Sequence, residues 1–228
     1  GGTHAEQLYA GIREGAVLMS DGYEVYNGIA KSHRLVHLGC WAHARRYFVE
    51  AEAVLPKAVR RPDQLATQII AAIARLYAVE AKVKGKGVAE RAQLREAASR
   101  TILAEIQQLL VTHRHSVTPG SLLGKALHYL EAQWPKLIRY VENGAWPIDN
   151  NLCENAIRPF VVGRRNWLFA DTVAGANASA NIYSLIETCK ANGVDTYRYL
   201  VALFKALPLA TTADDYEQLL PWHLTLGD

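Results

Sequence analysis

Two hydrophobic periods alternate along this chain. Ala16-Val17-Leu18-Met19-Ser20 is a short apolar run closed by Asp21-Gly22-Tyr23, and Arg34 to Leu38 is a second. Runs of this length bounded by turn residues predict buried strands, and the polar stretch around Asn27-Gly28 predicts a turn between them. From Trp41 the spacing becomes helical. Trp41, Ala44, Phe48 and Ala51 recur at three- and four-residue steps, which predicts a helix over Trp41 to Glu52. Leu65, Ile69, Ile73, Leu76 and Tyr77 form a second stripe, and Lys84-Gly85-Lys86-Gly87 marks a turn. Leu94, Ala98, Ile102, Ile106 and Leu109 form a third stripe, with Arg91, Arg95 and Arg100 between. Thr118-Pro119 predicts an N-cap with Pro at the first helical position, ahead of Leu122, Leu123, Ala126, Leu127 and Leu130. Near the end, Ile182, Leu185, Ile186 and Cys189 share a face stopped by Asn192-Gly193. Tyr197, Leu200, Val201 and Phe204 then predict another helix, and Pro221-Trp222 is expected to pack back onto it.

The pattern therefore predicts an α/β chain that is predominantly helical, in three stretches. Residues 1–55 are α/β, residues 56–135 an all-helical insertion, and residues 136–228 a further helical region. Apolar stripes need a packing partner rather than a cofactor, so the insertion is expected to carry no chemistry of its own. With 228 residues, 50% hydrophobic and 21% charged, the chain can build a core. No apolar run approaches the ~20 residues of a membrane helix. Three widely spaced cysteines, Cys40, Cys153 and Cys189, suggest no disulfide framework and hence a reducing cytoplasm. The net charge of +3 is mild for a nucleic-acid binder, but phosphate contacts need local rather than global charge. The cationic pairs Arg45-Arg46 and Arg60-Arg61 suit a solvated surface. Arg158 with Arg164 and Arg165 is the cluster that points to function.

Candidate chemistry begins at Asp149-Asn150-Asn151, a helix start rich in N-cap residues, with Glu154 one turn inside. That carboxylate either closes a capping box or projects into a site for a hard divalent cation, which wants oxygen ligands. Asp21, at the predicted C-terminal end of a strand, is either a turn residue or a ligand at the edge where open α/β sheets bind. Cys40 and His43 have a spacing seen in zinc sites, but no second Cys/His pair accompanies them. A packed thiol and a supporting histidine are the simpler expectation. His113 and His115 suit a solvated loop, and Cys153 has no partner pattern for a nucleophile. Trp167 and Phe169, after Arg164-Arg165, suit either core packing or stacking on a DNA base.

Six blocks, in this order, resemble the transposases of the insertion sequence sixty-six family. They are Asp21-Gly22-Tyr23 with Tyr26; Gly39-Cys40-Trp41-Ala42-His43-Ala44-Arg45-Arg46; Asp149 to Pro159; Gly163-Arg164-Arg165-Asn166-Trp167-Leu168-Phe169; Tyr183 to Gly193; and Leu220-Pro221-Trp222. The resemblance implies a ribonuclease-H-like catalytic domain with an Asp, Asp, Glu triad binding two Mg²⁺ (or Mn²⁺) ions. Asp21 matches the second Asp and Glu154 the Glu, 154 − 21 = 133 residues apart. The fold expected is then a partial ribonuclease-H-like core in 1–55, the insertion in 56–135, and the catalytic-Glu helix with a helical tail in 136–228.

By the same resemblance, Asn150, Asn151 and His43 are expected to support the ligands, and Arg158, Arg164, Arg165 and Trp167 to hold DNA. DNA, as transposon ends and target, would be the partner, within a homo-oligomeric complex and away from membranes. The first Asp matches nothing before Asp21, and the chain opens Gly1-Gly2-Thr3-His4 without an initiator Met. A fragment of a longer protein, inactive as this chain alone, is therefore expected. The alternative expectation is a non-catalytic helical DNA-binding or assembly module from a split or decayed transposase.

Overall fold

The two short apolar runs form strands, as their length and bounding turns predict. In this computed structural model, residues 2–167 and 170–224 are described. They form two compact units, residues 1–151 and 152–228. In the first unit, α1 (Gly2–Leu8) precedes β1 (Val17–Ser20), α2 (Val25–Ser32) and β2 (Val36–Gly39). The strands pair in parallel, with Val17 opposite Val36 and Ser20 opposite Gly39. Parallel neighbours need a crossover rather than a hairpin, and α2 supplies it. The turn expected at Asn27-Gly28 is thus the middle of a helix. Ile29 and Ala30 bury with Leu18 in a small apolar cluster, and that burial outweighs the ~1 kcal/mol cost of a helical Gly28. The second strand also starts later than Arg34, because Arg34 holds a left-handed φ of 51° in the turn that ends α2. These two strands make up the sheet among the described residues.

The main core of this unit is helical. α3 (Trp41–Ala53), α4 (Leu65–Val83), α5 (Val88–Leu94), α6 (Arg100–His113) and α7 (Leu122–Leu137) surround it. Trp41, Phe48, Ile69, Ile73, Leu76, Ile106 and Leu130 are all fully buried there. Burial of each such aliphatic or Phe side chain contributes roughly 1.5–3 kcal/mol. Trp41 also donates from Nε1 to the Leu137 carbonyl at 2.9 Å, so its polar edge is satisfied and α3 is pinned to α7.

The third stripe departs from a regular helix. Arg95–Ser99 forms a π-helical turn between α5 and α6, and such a turn inserts a residue into the repeat. Leu110 is consequently buried, whereas Leu109 only packs against the core from outside. Arg95, expected between apolar positions, is instead only 1% exposed. Its guanidinium meets both carboxylate oxygens of Glu80 at 2.8 and 2.7 Å. It also donates to the carbonyls of Tyr140 and Asn143, each at 2.9 Å. The following loop packs so closely that a Cβ on Gly144 would stand 1.9 Å from the Val88 carbonyl oxygen, so only glycine fits. At α7 the N-cap is Ser121, accepting from Gly124 N–H at 3.0 Å, not Thr118. Pro119 therefore lies in the preceding turn.

α8 (Asn151–Trp167) starts at the last residue of the first unit, runs through the second and has no buried residue. α9 (Val173–Ala191) starts at the Thr172 cap and stops at Asn192 with Gly193 at φ +68°, as the sequence predicts. α10 (Thr196–Ala206) and α11 (Ala213–Gln218) follow, and Cys189, Tyr199, Leu203 and Leu219 form the unit's core. The face of α10 predicted as apolar is only partly the buried one. Tyr197 and Phe204 are exposed, while Tyr199 is fully buried and donates its hydroxyl to the Leu219 carbonyl at 2.8 Å. A tyrosine can enter a core when its OH finds an acceptor. Pro221 is buried but Trp222 is exposed, so only the proline packs inward. No helix among the described residues is long and apolar enough to cross a membrane.

Candidate functional site

The register of the two strands fixes the geometry of the site. With Ser20 opposite Gly39, Asp21 and Cys40 leave the sheet side by side at the C-terminal ends of β1 and β2. Asp21 is solvent-exposed, and its Oδ1 accepts the Tyr23 N–H at 3.0 Å. The turn and ligand readings of Asp21 are therefore compatible, since one oxygen closes the turn and the carboxylate stays accessible. Gly22 sits at φ +98°, and a Cβ there would meet the Gln133 amide and the Tyr129 ring at 3.0 and 3.1 Å. Gly22 is thus required for the backbone angle and for close approach to α7. Tyr129 clamps the turn by donating its hydroxyl to the Asp21 carbonyl at 2.6 Å. Burial pushes the Tyr129 phenol well above its usual range, helped by the nearby Cys40, Tyr47 and Asp21 and opposed by Arg46, so it stays a donor.

Beneath the turn lies a buried polar pair that sequence reading did not single out. Ser20 Oγ and His37 Nε2 share a hydrogen bond of 2.8 Å, and Gly22 N–H reaches Ser20 Oγ at 3.4 Å. Burial, reinforced by Lys136 and Arg139, lowers the His37 pKa from 6.5 to about 4. The unfolded chain therefore takes up this proton near pH 6.5, the folded one only near pH 4. Stability is lost as pH falls through that window. Urea denaturation is expected to show a midpoint that declines from pH 6.5 to 4.5, with a shallower decline in His37→Gln. Equal slopes in the two proteins would show that His37 does not couple to folding.

Cys40 caps α3 and is fully buried, its thiol raised in pKa chiefly by burial. Its sulfur accepts the Asn150 N–H at 3.4 Å, and Trp41 N–H bonds the Ile148 carbonyl at 3.2 Å. The segment 148–150 is thereby docked on the start of α3. His43, partly buried, sits one turn into the same helix. Asp149 accepts from Tyr77 OH at 2.7 Å, from Asn151 N–H at 3.1 Å and from Asn151 Nδ2 at 2.8 Å. Asp149 is therefore the residue that closes the helix start, as its N-cap chemistry predicts, with Tyr77 as an unforeseen partner. Tyr77 reads as one more apolar position in its stripe, and only its hydroxyl could have signalled more. The first unit thus gathers Asp21, Cys40, His43 and Asn150 at one end of its sheet.

Within the second unit, α8 carries Glu154 in its first turn and Arg164 and Arg165 in its last. Arg158 and Arg165 follow Glu154 by four and eleven residues, about one and three turns, so the three share a face. Arg164 is displaced around the helix and lines a separate cleft with Phe160 and Trp167. All three arginines are exposed. Trp167 is 43% exposed and meets Phe160 and Tyr183 edge-on, with centroids at 6.1 and 5.9 Å. It packs against these rings and yet stays partly exposed. Phe169 lies outside the described residues. Cys153 is an exposed free thiol.

Two family profiles match this chain. The profile described as "Transposase IS66 family" matches residues 1–178, and that of the "IS66 C-terminal element" matches residues 184–222. The chain is similar to the uncharacterized proteins y4qI and y4jD of Sinorhizobium fredii (strain NBRC 101917 / NGR234). It is 34% identical to y4qI over 91% of this chain and 39% of that protein. It is 29% identical to y4jD over 91% of this chain and 41% of that protein. The chain spans about 40% of the length of these curated relatives. No solved structure matches it significantly.

Proposed function

This chain belongs to the IS66 family of transposases, and on that premise we propose that it supplies part of a DNA transposase catalytic region. The reaction would be phosphodiester cleavage and strand transfer, performed by the longer protein. Asp21 and Glu154 would hold divalent metal, Mg²⁺ or Mn²⁺, in a partial ribonuclease-H-like core. Residues 56–135 would be its helical insertion, and residues 136–228 the catalytic-Glu helix and tail. The observation that carries the reading is Asp21 itself. It is an exposed carboxylate on a rigid turn at the C-terminal ends of parallel strands, beside the thiol on which Asn150 is anchored. Glu154 follows Asn151 by three residues in the same helix.

An accessible carboxylate oxygen set is the donor type that Mg²⁺ and Mn²⁺ prefer, so Asp21 fits. Such ions, when bound, would polarise the phosphoryl group and neutralise charge on the attacking and leaving oxygens. The chain's own residues would do the positioning. Tyr129 and Ser20 fix the turn of Asp21, Asp149 and Asn150 fix the start of the helix, and His43 would support the ligands. Arg158 and Arg165 would lie along the DNA backbone on the Glu154 face, with Arg164 and Trp167 beside them. The proposed partner is DNA, bound by a homo-oligomer in the cytoplasm.

The decisive measurement is a crystal structure of the protein soaked in Mn²⁺. Anomalous density bonded to Asp21 and Glu154 together is expected. Density elsewhere only, or carboxylates on opposite faces of the protein, would end the metal-site reading.

A further inference from the structure

A groove of about 810 Å³ opens directly beside the Asp21 turn, between α3 and α7. Gly22 forms one border, and Lys125, His128 and Lys136 line its length. Lys125 and His128 are exposed. They stand three residues apart on α7, and Lys136 lies about two turns further on, so all three cationic or imidazole groups line one side of the helix. Lys136 donates to Asn27 Oδ1 at 2.8 Å and to Gln133 Oε1 at 2.7 Å. An ammonium has three donors, so one remains for a ligand. Glu24 is the carboxylate that also lines the groove.

The groove floor carries a second, independent feature. Tyr47 of α3 and Tyr129 of α7 stack with ring centroids 4.5 Å apart and planes 25° apart. Tyr47 is 37% exposed, and Tyr129 is held by its bond to the Asp21 carbonyl. The stack is therefore pre-oriented and tied to the same turn as the carboxylate. Cations tracking a backbone beside aromatic platforms are what unpaired nucleic-acid strands bind. A paired duplex keeps its base faces stacked internally and cannot use such a platform.

We propose that this groove is a path for an unpaired DNA strand, whose bases stack on the Tyr47–Tyr129 pair and whose phosphates meet Lys125, His128 and Lys136. The assignment rests on the transposase reading, in which the strand beside Asp21 must continue past the reacting phosphate. It gives α7 a part in substrate binding, beyond packing. Tyr47 and Lys125 are binding residues here, because neither reaches the Asp21 carboxylate in any hydrogen bond or ion pair described.

The test uses the purified chain and a fluorescent single-stranded oligonucleotide carrying 5-iodouracil, with the matching duplex as competitor. Tyr47→Ala is expected to weaken single-strand binding by about fivefold to a hundredfold, and Tyr47→Phe to restore it. Lys125→Ala is expected to reduce the slope of log K against log salt by about 0.7. Irradiation is expected to cross-link the strand to Tyr47. Single-strand binding unchanged in Tyr47→Ala and Lys125→Ala but lost in Arg164→Ala plus Arg165→Ala would overturn the groove and leave the transposase reading standing. Preference for duplex without a Tyr47 cross-link would also overturn the groove. Absence of any DNA binding would overturn it too. Absence of DNA breakage and joining by the intact protein as well would overturn the transposase reading.

Discussion

Asp21→Asn in the intact protein is expected to lower strand transfer by about a thousandfold or more, about 4 kcal/mol of transition-state stabilisation. The substitution is chosen because the turn survives it. Asn offers the same side-chain oxygen to the Tyr23 N–H that Asp21 offers at 3.0 Å, and Asn closes such turns as readily as Asp. The Tyr129 bond goes to the backbone carbonyl and is untouched. What is lost is the negative charge, and with it the affinity for the divalent ion that the proposed chemistry needs. Glu154→Gln should have an effect of similar size, for the same reason and with helix propensity almost unchanged. Joining of labelled DNA ends by the intact protein, with thermal unfolding measured in parallel, decides the matter. Activity within tenfold of the parent, in a variant that unfolds at the parental temperature, would remove Asp21 from the site.

Much of this geometry was legible because it depends on local chemistry. Asp-Gly at the end of an apolar run predicts a turn after a strand, and the structure adds only that Gly22 is also pressed against Gln133 and Tyr129. Asp149 ahead of Asn151 predicts a capped helix start, and the two bonds between these residues realise it. Asn192-Gly193 stops α9 for the same local reason. The misreadings share a different cause. Gly28 is helical because Ile29 and Ala30 find Leu18, a partner that no window around Gly28 contains. Arg95 is buried because Glu80 and two carbonyls converge on it from 15, 45 and 48 residues away. Tyr77 reads as an apolar position, and Tyr129 carries no signal at all, since the acceptors for their hydroxyls lie 72 and 108 residues away. Single-sequence periodicity reports which face is apolar. It does not report which polar atom on that face has found a distant partner.

Glu80→Ala is expected to destabilise the first unit by about 3 kcal/mol, near the lower end of the range for breaking a buried ion pair. Arg95 has a side-chain exposure of 1%, so its guanidinium has no water to fall back on, while Glu80, at 17%, keeps only a little. Removing Glu80 leaves a buried guanidinium with two carbonyl acceptors, those of Tyr140 and Asn143, and the face of the Tyr140 ring at 5.2 Å. These contacts soften the loss, which sets the estimate below the ~5 kcal/mol extreme. The consequence reaches the candidate site along the chain. Arg95 holds Tyr140 and Asn143, and the loop beyond them leads through Ile148 to Asp149 and Asn150, which dock on α3. A thermal midpoint lower by roughly 6–12 °C is therefore expected for a unit of this size, with increased hydrogen exchange at the Asn150 and Asn151 amides before global unfolding. Glu80→Ala with Arg95→Met should be less damaging than Glu80→Ala alone, because it removes the stranded charge along with its partner. A loss below about 1 kcal/mol for Glu80→Ala would put the pair in the class of exposed salt bridges and dissolve the link between this brace and the start of the Glu154 helix.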